Sequence, residues 1–351
     1  MASAEDIAAA LISVIGANDE SSTVTHFLST GFPPLDYALS SRWDGGFPVG
    51  RITELSGPPS SGKTAIATAV MASAQKAGGI AMFMDHERSF STRLAPKLGL
   101  DITPGRFVFK KPRTYEQAIR LVVEGATHIR EKRLIAFDAP IVAVFDSLAS
   151  MVPQSALFDN KTGKEKTAED RNMNDNTALA RATSASLPAF AQHCEELGIC
   201  AIFLNQIRTK LNVMYGDPRT TPGGDAPKFF SSARIMLGAS TIKKDKDVIG
   251  SMVTAQVIKN KVARPYLTAA WRFEFQLDGT GKFNVYRSLI DFLVAEKILP
   301  MSGAYINWEG SKLYPGPLAD KLEAAGEWSK LIALLPVKYE PEPVVPEAEV
   351  A

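Results

Sequence analysis

The chain has 351 residues, 45% of them hydrophobic, and a formal charge of +1. That length suits about two domains with a sizeable core. Near-neutrality excludes a uniformly basic nucleic-acid binder, so any basic surface must be local. No apolar run is long enough to span a membrane, and the opening "MASAEDIAAALISVIG" lacks the basic segment of a signal peptide.

Residues 4–15 predict a short amphipathic helix, and the polar linker "ANDESST" follows it. From about residue 28 the pattern changes. "RITELSG", "IAMFMDHE", "IVAVFDS" and "ICAIFLNQ" are short apolar runs, each ending in polar residues. Helical segments alternate with them. One is "KTAIATAVMASAQKAGG", with apolar residues at helical spacing and a glycine stop. Another follows Thr114, where "TYEQ" predicts a capping box. Fully apolar strands alternating with helices imply a parallel sheet covered on both faces. After residue 234, "SMVTAQVIKNK" and "WRFEFQL" alternate in polarity and predict antiparallel edge strands. Residues 284–336 read as a small separate unit with a helix over 286–297, and the tail "EPEPVVPEAEVA" is acidic, proline-rich and expected to be disordered. The two cysteines, Cys194 and Cys200, match no metal spacing and read as reduced core thiols.

Two loops interrupt this rhythm. "DNKTGKEKTAEDRNMNDN" (159–176) holds one large apolar residue, Met173, and is expected to be mobile. "YGDPRTTPGGDAPKFF" (215–230) follows one of the most apolar runs in the chain, yet its prolines and glycines suit neither a helix nor a central strand. Ligands bind outside the carboxyl ends of strands in an open parallel sheet, so both loops point toward the working face.

"GPPSSGKT" fits the phosphate-loop pattern G-x-x-x-x-G-K-[ST], with a strand before it and an amphipathic helix after it. Gly57, Pro58, Pro59, Ser60, Ser61, Gly62, Lys63, Thr64 and Ala65 then form the nucleotide cradle. The glycines let backbone N–H groups curl around phosphate oxygens, Lys63 reaches the terminal phosphates, and the Thr64 hydroxyl ligates magnesium. The helix start adds its positive end. ATP and Mg2+ are the implied cofactors. Asp146, ending "IVAVF", can hold a magnesium water; alone, it equally suits a helix cap. Glu87 is placed to orient or deprotonate the attacking water, with Asp85 as its rival two residues earlier. Gln206 can sense the terminal phosphate, and it stands at the root of the second loop.

These residues carry a resemblance. "LSTGFPPLDYAL…GGFPVGRITELSGPPSSGKT", "FLNQIRTKLNVMYGDPRTTPGGDAPKFFSSAR" and "VIKNKVARPY" together resemble the bacterial RecA recombinases over nearly the whole chain, in order and spacing. The resemblance implies an α/β fold: a RecA-like phosphate-loop ATPase core with a mostly parallel sheet plus antiparallel edge strands, and a small C-terminal α/β domain. It divides the chain into a docking arm (1–27), the ATPase and DNA-binding core (28–283), the small domain (284–338) and the tail (339–351). It further implies a DNA-dependent ATPase that forms a helical filament on single-stranded DNA, pairs it with double-stranded DNA and exchanges strands. Lys63 and Thr64 would bind nucleotide and magnesium, Glu87 would activate water, and Gln206 would be the sensor. Lys259 and Lys261 would reach a neighbour's ATP. The position of the family's adenine-stacking aromatic is Leu94, and that of its base-contacting acid is Ser91. Implied partners are single- and double-stranded DNA and further copies of the chain, with recombination mediators and single-strand-binding proteins as candidates and no membrane. The implied location is the bacterial cytoplasm or nucleoid, or the host cytoplasm for a diverged, phage-encoded member. A ring helicase on the same core and a non-hydrolysing DNA-binding regulator are the competing readings.

With DNA as ligand, the second loop gains a physical reason. Residues 207–246 hold eight basic residues (Arg208, Lys210, Arg219, Lys228, Arg234, Lys243, Lys244, Lys246) against three acids (Asp217, Asp225, Asp245). Such cations neutralise phosphates. Arg181, Arg208, Lys210, Arg219, Gly223, Gly224, Lys228, Phe229 and Arg234 are the expected DNA contacts. Phe229 would wedge against bases or transmit the state of Gln206. Phe230 is expected to pack in the core, because an extended segment would point the pair opposite ways. Lys243, Lys244 and Lys246 suit a solvated hairpin turn and DNA contact equally.

Overall fold

The computed structural model describes residues 23–159, 161–167, 175–209, 219–337 and 339. The expected arm helix at 4–15, most of 168–176 with Met173, Lys210, Asp217 and most of the acidic tail lie outside them. Sixteen strands are described: β1 (Phe27–Leu28), β2 (Phe47–Pro48), β3 (Ile52–Gly57), β4 (Ile80–Asp85), β5 (Phe107–Lys110), β6 (Ile141–Asp146), β7 (Ile199–Gln206), β8 (Arg208–Thr209), β9 (Arg219–Thr220), β10 (Ala233–Lys244), β11 (Asp247–Asn260), β12 (Thr268–Phe275), β13 (Gly281–Asn284), β14 (Met301–Ser302), β15 (Tyr305–Trp308) and β16 (Ser311–Leu313). The helices are α1 (Pro33–Ser40), α2 (Lys63–Lys76), α3 (Leu94–Lys97), α4 (Tyr115–Glu131), α5 (Gln154–Leu157), α6 (Asp175–Leu197), α7 (Ala226–Phe230), α8 (Val285–Ala295), α9 (Pro315–Ala325) and α10 (Trp328–Ile332).

Nine strands form one sheet in the order β13-β12-β11-β10-β3-β7-β6-β4-β5. From β10 to β5 neighbours run parallel; β10, β11, β12 and β13 pair antiparallel. This is the mostly parallel sheet with antiparallel edge strands that the strand patterns predict. The apolar runs are buried on both faces because helices cover both. Along β3, β4, β6 and β7 alternate residues enter opposite clusters, as the two-residue period of a strand requires. Leu55, Phe83, Val144 and Leu204 pack with Ile66, Val70 and Met71 of α2. Ile52, Met82, Phe145 and Phe203 pack with α4 and α6 through Val122 and Phe190. Phe145 and Phe203 stack with centroids 4.4 Å apart. The first cluster continues into residues beyond 284, through Leu289, Leu293, Trp308 and Leu322. Cys194 and Cys200 are buried and free.

The cap of α4 forms with one change. Thr114 Oγ1 accepts from Gln117 N–H at 3.1 Å, while Gln117 Oε1 accepts from the N–H of Arg113, at 2.7 Å, not from that of Thr114. The second loop differs more. Its last turn is the helix α7, which starts with proline near its first position, where the missing N–H costs nothing. Proline content had argued against a helix there. No helix among the described residues is long and apolar enough to cross a membrane.

Candidate nucleotide site and loop stem

β3, β4, β6 and β7 all end at the same edge of the sheet, and each delivers one piece of the site. β3 runs into the phosphate loop and α2. A Cβ on Gly57 would come within 2.5 Å of Ser61 Oγ and 2.9 Å of Leu237 Cβ, so only glycine lets the loop fold this tightly. Ser61 Oγ is buried without a hydrogen-bond partner. Lys63 Nζ donates to the carbonyls of Gly57 (3.0 Å) and Pro58 (2.8 Å). Burial lowers its pKa, against the opposing charges of Asp146 and Glu87.

Asp146 ends β6, and its Oδ2 accepts from Thr64 Oγ1 at 3.0 Å. Burial raises its pKa to about 6; the Thr64 hydrogen bond opposes this, and the nearby Glu87 and Asp85 charges add to it. Its carbonyl accepts from the N–H groups of His86 (2.7 Å) and Glu87 (2.9 Å), which pins the turn after β4 to β6. Gln206 Nε2 donates to Glu87 Oε1 at 3.3 Å. Asp85 is occupied differently: its Oδ1 accepts from Arg88 N–H at 2.6 Å and is the acceptor of the turn.

Ser61, Lys63, Thr64, Glu87, Asp146 and Gln206 line one cavity of about 600 Å³ that also receives Pro59, Ser60, Gly62, Ala65, Ser89, Leu94, Phe273 and Phe275. Leu94 and the two phenylalanines form its apolar walls. The β12–β13 turn is tied to α3 by Lys97 with Asp278 and by Arg93 Nη2 to the Asp278 carbonyl at 2.9 Å. The alternation of "WRFEFQL" signals a strand and gives no hint that Phe273 and Phe275 face this cavity. A larger cleft of about 720 Å³ between β10–β12 and α8 lacks any phosphate loop; its acids are Asp291, which is paired with Arg272, and Glu296. The tight Gly57 turn, the orphaned Ser61 hydroxyl and the Thr64–Asp146 pair fit a magnesium–nucleotide.

Residues 7–278 match the RecA N-terminal domain family. Curated relatives include Protein RecA of Chlorobaculum parvum, 37% identical over 302 residues (85% of this chain, 78% of the relative). Protein RecA of Chloroherpeton thalassium is 35% identical over 304 residues (86% and 77%). The chain belongs to the RecA family.

Other predicted RecA-type positions cluster around the stem of the second loop. β8 and β9 form its base, Arg208 opposite Thr220. Arg208 and Arg219 are exposed, and Arg181 Nη1 donates to Thr177 Oγ1 on α6. Gly223 and Gly224 have φ of 100° and 75°; Cβ atoms there would stand 2.8 Å from Leu148 Cδ2 and Ala180 Cβ respectively. Phe229 is 69% exposed and Phe230 packs against the α4–α6 cluster. The pair is divided as expected, but by a helical turn and not by extended backbone. Lys259 Nζ donates to the carbonyls of Lys228 and Phe229, the latter at 2.9 Å. Lys261 Nζ reaches Phe229 O at 3.2 Å. Lys243, Lys244 and Lys246 stand at the β10–β11 hairpin turn, where Lys244 faces Asp247.

One correction follows for the basic count. Arg234 Nε is held by Glu54 Oε2 at 2.6 Å, with the carboxylate 1% exposed, so Arg234 is no free cation for DNA. Lys228 is shared with Asp225 at 2.7 Å. Glu54 is absent from the sequence-based site because it lies inside an apolar strand; a charge in such a run was its available signal.

Proposed function

We propose that this RecA-family chain is a DNA-dependent ATPase of recombinase type, which assembles as a helical filament on single-stranded DNA and promotes pairing and strand exchange. Family membership supports the recombinase role in general terms. One observation carries the reading for this chain: Gln206 reaches Glu87 in the phosphate cavity, while its neighbour Asn205 donates to Pro222 O in the loop stem at 3.0 Å. One strand end thus touches nucleotide chemistry and the DNA-facing loop.

In this reading Lys63 exchanges its two carbonyl partners for phosphate oxygens, joined by the N–H groups of the loop and the positive end of α2. Glu87 orients the attacking water and takes its proton, and Gln206 holds the Glu87 carboxylate in place. Thr64 and Asp146 would hold magnesium, which would supply positive charge against the negative charge that develops on the phosphate. Lys259 and Lys261 supply cations to the nucleotide of an adjoining copy. Arg208, Lys210, Arg219 and Lys228 contact DNA phosphates, with Arg181 on the flank. Phe229 is available to stack on a base.

Turnover measured with and without single-stranded DNA, paired with electron microscopy of the nucleoprotein, tests this. Stimulated turnover on open helical filaments is the expected result. Closed rings would indicate the helicase instead, and DNA binding without any turnover would indicate the regulator.

A further inference from the structure

A row of polar side chains crosses four adjacent strands beneath the loop stem. Arg234 on β10 stands opposite Lys259 in the β10–β11 ladder and opposite Glu54 in the β10–β3 ladder. Glu54 Oε2 accepts from Arg234 Nε at 2.6 Å and Oε1 from Asn205 Nδ2 at 2.8 Å. The Asn205 amide also donates to Pro222 O, and its Oδ1 accepts from Gln206 N–H at 3.0 Å. The row therefore begins beside the interface lysines and ends at both the phosphate sensor and the loop.

A buried carboxylate is tolerated only when paired and hydrogen-bonded, and removing one partner leaves the other charge stranded. Glu54 satisfies one oxygen with a cation and the other with an amide. Neither Arg234 nor Asn205 can turn away without orphaning it, so the row moves as a unit. A change at Gln206 shifts Asn205, and with it both Pro222 and Glu54. At the other end Lys261 and Arg234 lower the Lys259 pKa, after burial, and Glu54 opposes them.

We propose that Glu54 is a positioning residue whose carboxylate couples Gln206 and the loop stem at Pro222 to Lys259. This rests on the recombinase reading and adds to it a named path between the nucleotide of one copy and the cations offered to the next.

The test uses the full chain as parent, Glu54→Gln, Arg234→Met and the double variant. Thermal stability, the ATP KM and kcat on single-stranded DNA, and the pH profile of kcat are compared. Glu54→Gln is expected to keep KM and lose DNA-stimulated kcat by about tenfold, an ordinary size for coupling between two sites. Its alkaline limb should move to lower pH. Lys259 then faces Lys261, Arg234 and, on α7, Lys228 with its partner Asp225, without the Glu54 charge. The double variant strands no charge, so it should regain stability over Arg234→Met while DNA stimulation stays low. A double variant in which stability and stimulation recover together makes the pair merely structural and overturns the proposal, as does Glu54→Gln with parental kcat and pH profile. If Glu54→Gln fails to fold, the double variant decides alone. A parent that DNA does not stimulate overturns the recombinase reading itself, and is seen before any variant is compared.

Discussion

Lys63 and Lys259 make similar contacts in different company. Each ammonium is partly buried, donates to two backbone carbonyls of its own chain, and has its pKa lowered chiefly by desolvation. Around Lys63 the charges that matter are carboxylates, Asp146 and Glu87. Around Lys259 they are Lys261 and Arg234, with Glu54 opposing. The first site balances its charges within one chain. The second holds a surplus of cations, which calls for an anion from outside. The likeness shows how a cation is kept in place before its ligand arrives; the difference is between a cavity rich in carboxylates and a cluster rich in cations.

The largest effect belongs to the first region. Lys63→Ala should abolish ATP turnover, and a folded variant that hydrolyses ATP near the parental rate would break the comparison at its firmer end. Glu87→Gln should retain ATP binding and slow hydrolysis on the order of a hundredfold, the usual cost of removing a positioned base. Unchanged turnover would pass the role to another group and leave the bond from Gln206 without catalytic meaning.

The second region should fail differently. The Lys259→Ala, Lys261→Ala protein should bind ATP through its intact phosphate loop yet turn over poorly on DNA. Mixed with Lys63→Ala, it should recover activity where its ATP faces the other copy's lysines. Confirmed mixed assembly with no gain over the separate proteins would end the assignment in trans. A pH series sharpens the same point. Lys259 has a pKa near 8, down from 10.5, so DNA-stimulated turnover should fall as pH rises through about 8. Between pH 8 and 10.5 the unfolded chain binds more protons than the folded one, so this group makes the fold more stable as pH rises. Titration of Lys259 therefore does not lower turnover in that window by unfolding the chain. Lys259→Arg keeps its charge and should retain turnover there; a decline identical to the parent's would remove Lys259 as its cause.

The first region was also the more legible in sequence. Gly57, Lys63, Thr64, Asp146 and Gln206 stand at strand ends or in a fixed motif, where period and spacing dictate position. Arg234 was misread because its partner lies 180 residues away, and composition cannot tell a basic residue facing DNA from one facing a buried acid. α7 was missed because prolines and glycines dominate local propensity, while burial of Ala226 and Pro227 decides the outcome. Phe273 and Phe275 read as strand residues, and only the closing of the β12–β13 turn onto α3 brings them to the nucleotide cavity.

The smallest effect probes Lys228, a residue of the second loop that also holds Lys259. Its carbonyl accepts from Lys259, whereas its ammonium is shared with Asp225. Substituting the side chain leaves the carbonyl in place, so any effect on DNA belongs to the ammonium. A phosphate contact contributes about −0.7 to the slope of log affinity against log salt on single strands. Because Asp225 already draws on this cation, Lys228→Ala should flatten the slope by no more than that and weaken binding only a few-fold, whereas Asp225→Asn should steepen it by releasing the ammonium to DNA. Opposite shifts would place Lys228 among the phosphate contacts. Two unchanged slopes would remove it from them, and would leave the Lys228 backbone, as a tether for Lys259, its sole part in the second region.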